Sequence, residues 1–327
     1  MKRANGARNI KRESVRFRRE RTKDIVSERA DGLNRKIMLY KKLTLEDVPR
    51  IKPYFDVIQT GSCDYTIGGM FMWRDYYHME YAIEDGVFFS RLYGKDGNCY
   101  YNIPIGVDLQ KAVDLMLKQE KKLAFCTIPD TMLDVFLALN KKITIREQQD
   151  YADYLYEADD LIGLKGKKFN GQRNQIHQFL RDNEDWSYAP MTDADLPEAL
   201  AFLTTEYKVP EDANDFEIEE EEKVLDVVKN YGRYGLIGGV LRVRGVLVGL
   251  SIGEVIGDTL FVHVEKATRS IKGGYQMLVN LFAKQYAGGH VRFVNREEDM
   301  GDPGLRVAKR AYHPIRLINK YIVEVES

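Results

Sequence analysis

The stretch from Gly235 to Pro314 carries the clearest fold pattern of the sequence and most of its chemistry. Within it, residues 261–267 read FVHVEKA, residues 272–276 read KGGYQ, and residues 293–314 read FVNREEDMGDPGLRVAKRAYHP. Two apolar strand patterns end in clustered polar and charged residues, and a glycine pair opens a helix between them. Open α/β sheets bind ligands at such strand ends. We therefore expect the functional site in this stretch.

The strand at residues 259–267 carries two ionisable side chains two positions apart. Because side chains alternate along a strand, His263 and Glu265 are expected on one face, about 7 Å apart at Cβ. An imidazole beside a carboxylate can share a proton transfer, so His263 and Glu265 are the candidate catalytic residues, with either one as general base. The same spacing is equally typical of a half-buried hydrogen-bonded pair.

Two glycines follow that strand at the entrance of a predicted helix. A helix N-terminus carries partial positive charge, and glycine lets backbone amides approach an anion closely. The candidate binding segment for the anionic part of a donor molecule is therefore Lys272, Gly273, Gly274 and Tyr275. Glycine is also a common packing device, so a structural role is the alternative.

The next strand ends in a highly charged cluster. Arginine offers a planar donor fork for carboxylate or phosphate, whereas asparagine and acidic side chains can hold an amino group. A short helix after the turn can return further polar side chains to the same cleft. The predicted acceptor-binding residues are Asn295, Arg296, Glu297, Asp299, Lys309 and Tyr312. The alternative is a clamp between Arg296 and a neighbouring acid that fixes the turn.

The two halves of the chain repeat one order of elements. Capped helix starts are predicted at Thr44 and Thr192, and each is followed by a hairpin, strand, helix, strand, helix and strand. The repeat predicts an α/β (α+β) fold of two tandem domains, 38–158 and 186–327, with mixed central sheets flanked by helices. The first domain lacks a charged strand end and is interpreted as a degenerate scaffold. The hairpin turns are predicted at Asp85-Gly86 and Arg244-Gly245.

A basic helical connector is predicted at residues 159–185, between the two domains. Its Lys167, Lys168 and Arg173 are candidate contacts for phosphate or tRNA, because basic side chains neutralise phosphates. A solvated helix face is the alternative interpretation.

Composition describes an ordinary globular protein: 327 residues, 44% hydrophobic, with a net charge of −1. The cysteines, Cys63, Cys99 and Cys126, form no Cys-x-x-Cys pair, and the five histidines show no HExxH spacing, so we predict no metal site. No run approaches the roughly 18 apolar residues of a membrane helix, and the N-terminus lacks the apolar core of a signal peptide. We predict a cytoplasmic protein without membrane insertion.

The first 36 residues are unusually basic, with 13 Lys/Arg against 5 Asp/Glu. They show almost no apolar periodicity, which is typical of a disordered basic arm. Because a foldable pattern begins directly after Met38, residues 1–37 are interpreted as such an arm or as a non-native extension, with Met38 as an alternative start.

The hairpin, splayed strand, glycine-bearing helix entrance and following strand together resemble the Gcn5-related acetyltransferase fold. The motifs DYLY, KGKKFNGQRNQIHQF, HVEKA, GGYQ, NREEDMGDPGLR, AKRAYHP and NKY are similar to those of stand-alone bacterial relatives of the phosphatidylglycerol lysyltransferase C-terminal domain. Those relatives resemble the Fem aminoacyltransferases in joining two acetyltransferase-like domains. The likeness extends from about residue 40 to the end of the chain.

This resemblance implies transfer of an acyl or aminoacyl group to an amine or hydroxyl of a small-molecule or peptide acceptor. The implied co-substrate is aminoacyl-tRNA or acyl-CoA, and no tightly bound cofactor is expected. Ser270 and Tyr275 depart from the usual acetyl-CoA loop, and Tyr275 is expected to crowd the amides that grip a pyrophosphate. Acyl-CoA is therefore the second choice of donor. The competing hypothesis is a non-catalytic module that binds or senses a small molecule.

Overall fold

Two seven-stranded mixed sheets and the helices packed on them form the described part of the chain. The computed structural model describes residues 38–106, 108–206 and 215–327, so the predicted basic arm lies outside the described residues. The strands are β1 (Lys41–Lys42), β2 (Glu80–Glu84), β3 (Val87–Tyr93), β4 (Cys99–Tyr101), β5 (Lys122–Pro129), β6 (Lys142–Glu147), β7 (Asp153–Glu157), β8 (Trp186–Pro190), β9 (Ile237–Val243), β10 (Val246–Ile256), β11 (Thr259–Ala267), β12 (Phe293–Asn295), β13 (Arg316–Ile318) and β14 (Lys320–Glu326). The helices are α1 (Val48–Phe55), α2 (Ile67–Met72), α3 (Leu109–Leu117), α4 (Leu133–Leu137), α5 (Ala158–Gly163), α6 (Asn170–Asp182), α7 (Leu196–Glu206), α8 (Asp215–Lys229), α9 (Tyr231–Tyr234), α10 (Gly274–Tyr286) and α11 (Pro303–Arg310).

The predicted repeat of elements is present. The first half runs α1, hairpin β2–β3, β4, α3, β5, α4, β6, and the second runs α7, hairpin β9–β10, β11, α10, β12, α11, β13. Each sheet contains one parallel pair, β4–β5 or β11–β12, among antiparallel neighbours. The predicted mixed central sheets flanked by helices are therefore confirmed.

Capping interactions within four residues define the starts of the first helix in each half, α1 and α7. The Thr44 hydroxyl donates to Asp47 at 2.9 Å, and the Thr192 hydroxyl donates to Asp195 at 2.8 Å, in matching capping boxes. In each capping box the same aspartate carboxylate also accepts a hydrogen bond from the backbone amide of the threonine. The N–H group of the residue that precedes the helix is therefore hydrogen-bonded. Both predicted helix starts are confirmed.

Two-residue turns connect the strands of both hairpins. Asp85 and Gly86 have φ of 49° and 79°, and Arg244 and Gly245 have φ of 52° and 77°. Positive φ at both central residues matches the twist of the flanking strands. Both turns lie where they were predicted.

The halves exchange their last strands. β7 comes from the first half but pairs with β12 and β13 in the second sheet. β14, at the end of the chain, pairs with β5 and β6 in the first sheet. The sheets therefore cross the predicted limits 38–158 and 186–327, because alternation identifies a strand without identifying its partner. Residues 39–327 form one compact unit.

Helix α10 covers one face of the second sheet. Val279 and Phe282 pack in one core cluster with Val262 of β11, and Leu278 packs in another with Leu241 of β9. None of the described helices is long and apolar enough to cross a bilayer.

Candidate functional site

A bulge in β11 interrupts the regular alternation of its side chains. In the antiparallel pairing with β10, Ile252 lies opposite Val264 and Gly253 lies opposite Val262. His263 is thus an extra residue without an opposite partner. Side chains of a regular strand alternate between the two faces of the sheet. An extra residue interrupts this alternation, so two residues that are two positions apart across the bulge point to opposite faces.

His263 and Glu265 consequently face opposite sides of the second sheet. Glu265 lies on the side covered by α10, here called the α10 face, where Tyr275 of that helix donates to its carboxylate at 3.2 Å. His263 lies on the other side, here called the α2 face, with its ring against Gly68 of α2. The prediction that the two side chains share one face is therefore wrong.

The His263 imidazole lies between two carboxylates. Nδ1 is 2.7 Å from Glu297 and Nε2 is 2.9 Å from Glu254, and the side chain is 0% exposed. Burial by itself would lower the pKa of His263, but hydrogen bonds to Glu254 and Glu297 and their negative charge outweigh it and raise the pKa to about 10. An imidazolium that donates from both nitrogens has no free nitrogen to accept a proton, so this arrangement favours Glu265 over His263 as the candidate general base.

The Glu254 carboxylate also connects His263 to the first half of the chain. The Gly68 amide donates to Glu254 at 2.6 Å. A Cβ at Gly68 would lie 2.1 Å from Cδ2 of His263, so only glycine allows the helix to approach the ring this closely. The triad Glu254, His263 and Glu297 thus fixes α2 to the second sheet.

On the α10 face, Glu265 is held by Arg296. The guanidinium donates from Nε at 3.0 Å and from Nη2 at 2.6 Å to Oε2 of Glu265, and Nη2 also donates to the Tyr275 hydroxyl at 2.9 Å. The predicted Arg296 clamp therefore exists, but its partner lies on β11 and not in the turn. Among the described residues, every side-chain hydrogen bond to the Glu265 carboxylate ends on Oε2.

Arg296 is enclosed by aromatic rings and keeps one unused donor. Its Cζ lies 4.9 Å from the ring centre of Tyr312 and 5.8 Å from those of Tyr156 and Tyr275. Its Nη1 is buried and has no hydrogen-bond partner among the described residues. A buried charged donor without a partner is costly, which indicates a position where a ligand oxygen can be bound. Tyr312 was predicted as an acceptor-binding residue, and its hydroxyl is likewise buried and unpartnered in the described part of the chain.

Asn295, by contrast, is fully used in the interior. Its side-chain amide donates to the Gly61 carbonyl at 2.8 Å and to Asp153 at 2.9 Å, and its side-chain oxygen accepts the Glu297 amide at 2.7 Å. The residue is 0% exposed. Asn295 therefore positions the turn after β12 and joins it to β7, and the geometry gives it no free group for an acceptor.

Asp299 has a similar internal role. It accepts from the Tyr154 hydroxyl at 2.6 Å and from Arg306 at 2.8 Å. Burial would raise the pKa of Asp299, but the hydrogen bonds from Arg306, Tyr154 and the Gly301 amide outweigh it and lower the pKa to about 2. The carboxylate stabilises the turn and the start of α11.

A buried lysine joins the two sheets beside this turn. Nζ of Lys320, in β14, lies 2.6 Å from Asp153 of β7 and 2.7 Å from Asp64. It also lies 3.4 Å from Sγ of Cys63 and 3.4 Å from Glu298. Burial alone would lower the pKa of Lys320, but the charges of Asp153 and Asp64 outweigh it and raise the pKa well above its usual value. We call these five residues the Lys320 cluster.

The Lys320 cluster includes a set of candidate metal ligands. The ligand atoms of Cys63, Asp153 and Glu298 lie within 4.8 Å of one another. The Lys320 ammonium is within 3.4 Å of all three, so a cation already occupies the position that these ligands surround. Burial, and after it the neighbouring Asp153 and Glu298, raise the pKa of the Cys63 thiol, which opposes formation of a metal-binding thiolate.

The glycine pair is packed against the connector helix α6. Gly273 has φ of 76°, and a Cβ there would lie 2.0 Å from the backbone oxygen of Gln175 and 3.1 Å from Cβ of Phe179. Close helix packing therefore accounts for Gly273, as the structural alternative proposed.

The Tyr275 hydroxyl points to Glu265 and Arg296, so its side chain does not crowd the amides as expected from the sequence. Lys272 is exposed.

The remaining predicted residues have mainly local partners. Lys309 donates to the carbonyls of Arg296 and Glu298, at 2.6 Å and 2.5 Å, and burial lowers its pKa. In the connector, Lys168 pairs with Asp160 at 2.7 Å, and Arg173 donates to the backbone near the start of α6. Lys167 is exposed. The tRNA or phosphate contact stays a prediction.

Several residues of the site were missed by the sequence analysis. Some of them carry one signal, a single charged residue beside or within a strongly apolar segment. This signal marks Glu254 in VLVGLSIGEVI, Asp153 before YLY and Lys320 before YIVEV. The missed residues are Cys63, Asp64, Gly68, Asp153, Glu254, Glu298 and Lys320. Four of these, Cys63, Asp64, Gly68 and Asp153, come from the first half, so that half is more than a scaffold.

The chain is thus a tandem acetyltransferase-like protein in which a buried carboxylate–arginine pair lies just beyond the end of β12, beside β11. The family model "Phosphatidylglycerol lysyltransferase, C-terminal" matches residues 55–324. The chain belongs to this family, as the resemblance implied. This membership supports an acyltransferase-like function.

Individual relatives support the same assignment. A conserved protein of unknown function from Bacteroides thetaiotaomicron is 30% identical, with a TM-score of 0.80, and the match covers 89% of this chain and 100% of that one. The structure of L-PGS from Bacillus licheniformis shares the fold at 13% identity and a TM-score of 0.57, covering 84% of this chain and 90% of that one.

A curated relative, the uncharacterized protein MYCGA3080 of Mycoplasmoides gallisepticum, is 22% identical over 175 residues. The match covers 53% of this chain and 56% of that protein, so it spans little more than half of the relative's length.

Proposed function

We propose that this protein transfers an acyl or aminoacyl group to an amine or hydroxyl acceptor, with the reaction beside β11, just beyond the end of β12. The observation that carries this proposal is the unused Nη1 donor of Arg296 beside the buried carboxylate of Glu265. Membership of a family described as phosphatidylglycerol lysyltransferase C-terminal domains supports the reaction class.

The two side chains can divide the chemistry of an acyl transfer. The acceptor nitrogen or oxygen attacks the carbonyl carbon of the donor ester or thioester, and Glu265 accepts the proton that the acceptor loses. Nη1 of Arg296 donates to the carbonyl oxygen as negative charge develops on it. The bond to the leaving group then breaks, and the proton passes from Glu265 to the leaving oxygen or sulfur. Tyr275 and Arg296 keep Oε2 occupied, which leaves Oε1 for this transfer.

A second region fits the ammonium group of an aminoacyl donor or of an amine acceptor. The Lys320 cluster contains three carboxylates, Asp64, Asp153 and Glu298, against the single charge of Lys320. The side chains of Asp64 and Glu298 are 22% and 21% exposed, so the excess negative charge faces outward. Partly buried excess charge favours a bound cation.

Aminoacyl-tRNA is the donor we favour. Gly273 is covered by α6, which leaves its backbone less able to grip the pyrophosphate of an acyl-CoA. The exposed Lys167 and Lys168 of the connector are suited to the phosphates of a tRNA end.

The proposal is tested by incubating the protein with charged tRNA and, separately, with an acyl-CoA panel, and by identifying products by mass spectrometry. The Glu265→Gln variant should lose at least about 100-fold in turnover, the usual loss for a general base. Glu324→Gln, at an exposed pair with Lys122, is the matched control and should keep full turnover. Full activity of Glu265→Gln would contradict the assignment.

A non-catalytic binding module is the second candidate. One observation favours it: Glu265 is paired with Arg296, and His263 is paired with two glutamates, so each candidate base is already held in an ion pair. It predicts that a small amino compound binds while every donor fails to yield product.

A further inference from the structure

A cavity of about 190 Å³ lies between the second sheet and loops of the first half, apart from the residues proposed for transfer. The turn before β11 and the starts of β11 and β12 form one wall, and the loop at residues 58–62 forms the other. Phe261, two residues before His263, lines the cavity on the α2 face. The cavity is therefore separated by the second sheet from the Glu265 and Arg296 pair on the α10 face.

The inner surface of this cavity is mainly apolar. Six of its lining residues are large hydrophobic side chains: Ile58, Leu155, Ile256, Phe261, Phe293 and Ile318. Several polar groups of the lining are already hydrogen-bonded: the Thr131 hydroxyl donates to the Thr60 carbonyl at 3.0 Å, and the Ser62 amide donates to the Thr60 hydroxyl at 3.2 Å. An interior of this kind favours an apolar ligand over a charged one.

The charged groups that line the cavity are compensated or half-exposed. Arg316 is an exposed residue, and its guanidinium donates to Asp130 at 2.7 Å. Asp258 is half-exposed, and its carboxylate accepts from the Thr259 hydroxyl at 3.2 Å. Neither sign of charge dominates, so a ligand with a neutral polar substituent fits better than an anion or a cation.

We propose that this cavity binds a small neutral aromatic molecule, with its ring against the wall that contains Phe261 and Phe293 and a hydroxyl or similar group near Asp258 and Arg316. An apolar cavity of about 150 Å³ is enough to bind benzene in a protein core, and this one is larger. Offset or edge contacts with two phenylalanine rings favour an aromatic ligand over an aliphatic one. The site goes beyond the proposed transfer reaction and requires neither its donor nor its acceptor.

The test uses phenol as the probe, with benzoate and benzylammonium as charged analogues, and measures binding by saturation-transfer NMR and by the shift in melting temperature. Phenol should bind at least tenfold more tightly than either analogue. Ile256→Phe fills the cavity and should weaken phenol binding at least tenfold. Val246→Phe, on the same strand but 64% exposed, is the matched control and should bind phenol as the unmodified protein does. Equal binding of the charged analogues, or unchanged binding by Ile256→Phe, would overturn the proposal.

A second variant covers the case in which Ile256→Phe does not fold. Ile256→Ala enlarges the same cavity, so the bicyclic probe indole should bind at least threefold more tightly than to the unmodified protein. Unchanged indole affinity in a cooperatively folded Ile256→Ala protein would overturn the proposal. Because no donor or acceptor is present, these outcomes are independent of the transfer assays.

Discussion

His263 and Glu265 lie two residues apart on β11 but point to opposite faces of the second sheet, because His263 is the extra residue of a bulge. Because of the bulge, the two side chains have different partners and different structural roles. His263 joins α2 to the sheet as a buried imidazolium, whereas Glu265 meets Arg296 on the α10 face. A reaction at Glu265 therefore proceeds without the histidine beside it in sequence.

The buried imidazolium predicts a pH-dependent stability. A histidine in the unfolded chain titrates near about 6.5, whereas the pKa of His263 in the folded protein is about 10. Between these values the folded state holds a proton that the unfolded state has lost. The free energy of unfolding should thus be fully supported by this group below about pH 6.5 and fall by up to about 1.4 kcal/mol per pH unit as pH rises toward 10.

Urea unfolding from pH 6 to 10 measures this slope. His263→Gln removes the titrating group and serves as the comparison. A slope unchanged by that substitution would mean that other groups cause the loss of stability.

Gly68→Ala should destabilise the protein by about 1–3 kcal/mol, because its Cβ would overlap the His263 ring, which two carboxylates hold in place. Gly171→Ala in α6 is the control: a Cβ there meets no atom within 4 Å, and alanine favours a helix. Chemical denaturation of both variants checks the difference. Equal stabilities would show that the ring or helix moves aside freely.

Gly273 and Gly274 should respond differently to alanine although they are adjacent. Gly273→Ala should lower the free energy of unfolding by about 1–3 kcal/mol, since φ is positive and the Gln175 carbonyl leaves no room. A Cβ at Gly274 meets Ile271 at an ordinary 3.5 Å, so Gly274→Ala should be neutral or slightly stabilising. Thermal unfolding distinguishes the two, and a fully stable Gly273→Ala protein would count against the packing role.

Breaking the Arg296–Glu265 pair should be costly, because the remaining charge is buried. Arg296→Met should destabilise by about 3–5 kcal/mol, and the double variant with Glu265→Gln should recover part of that loss. Arg181→Met, at an exposed pair with Asp182, should change stability by less than about 1 kcal/mol. The prediction fails if the double-mutant cycle shows no coupling.

Lys320→Met should destabilise by about 3–5 kcal/mol, because Asp153 is 0% exposed and would lose its counter-charge. Lys122→Met is the control, since Lys122 is about half exposed beside Glu324 and should contribute less than about 1 kcal/mol. Urea unfolding of the two variants provides the comparison. Similar losses in the free energy of unfolding of the two variants would show that the Lys320 cluster does not stabilise the contact between the two sheets.

Parts of the site could be read from the sequence. The run 295–299 and the glycine pair stand out because charge and glycine interrupt apolar patterns, and all of these residues do lie around β11 and β12. Their individual partners could not be read. Asn295 and Asp299 bind within the interior, and Arg296 binds a glutamate 31 positions away in the chain. Partners that far apart depend on which strands pair.

Local patterns in the sequence were enough to predict the repeated order of elements, the two capped helix starts, both hairpin turns and the region of the candidate site. These features depend on interactions within a few residues, such as a threonine with an aspartate three positions on. The tertiary structure alone decided the exchange of β7 and β14 and the opposite faces of His263 and Glu265. The physical reason is that strand pairing and bulges are set by the packing of the whole sheet, and one extra residue moves a side chain to the other face.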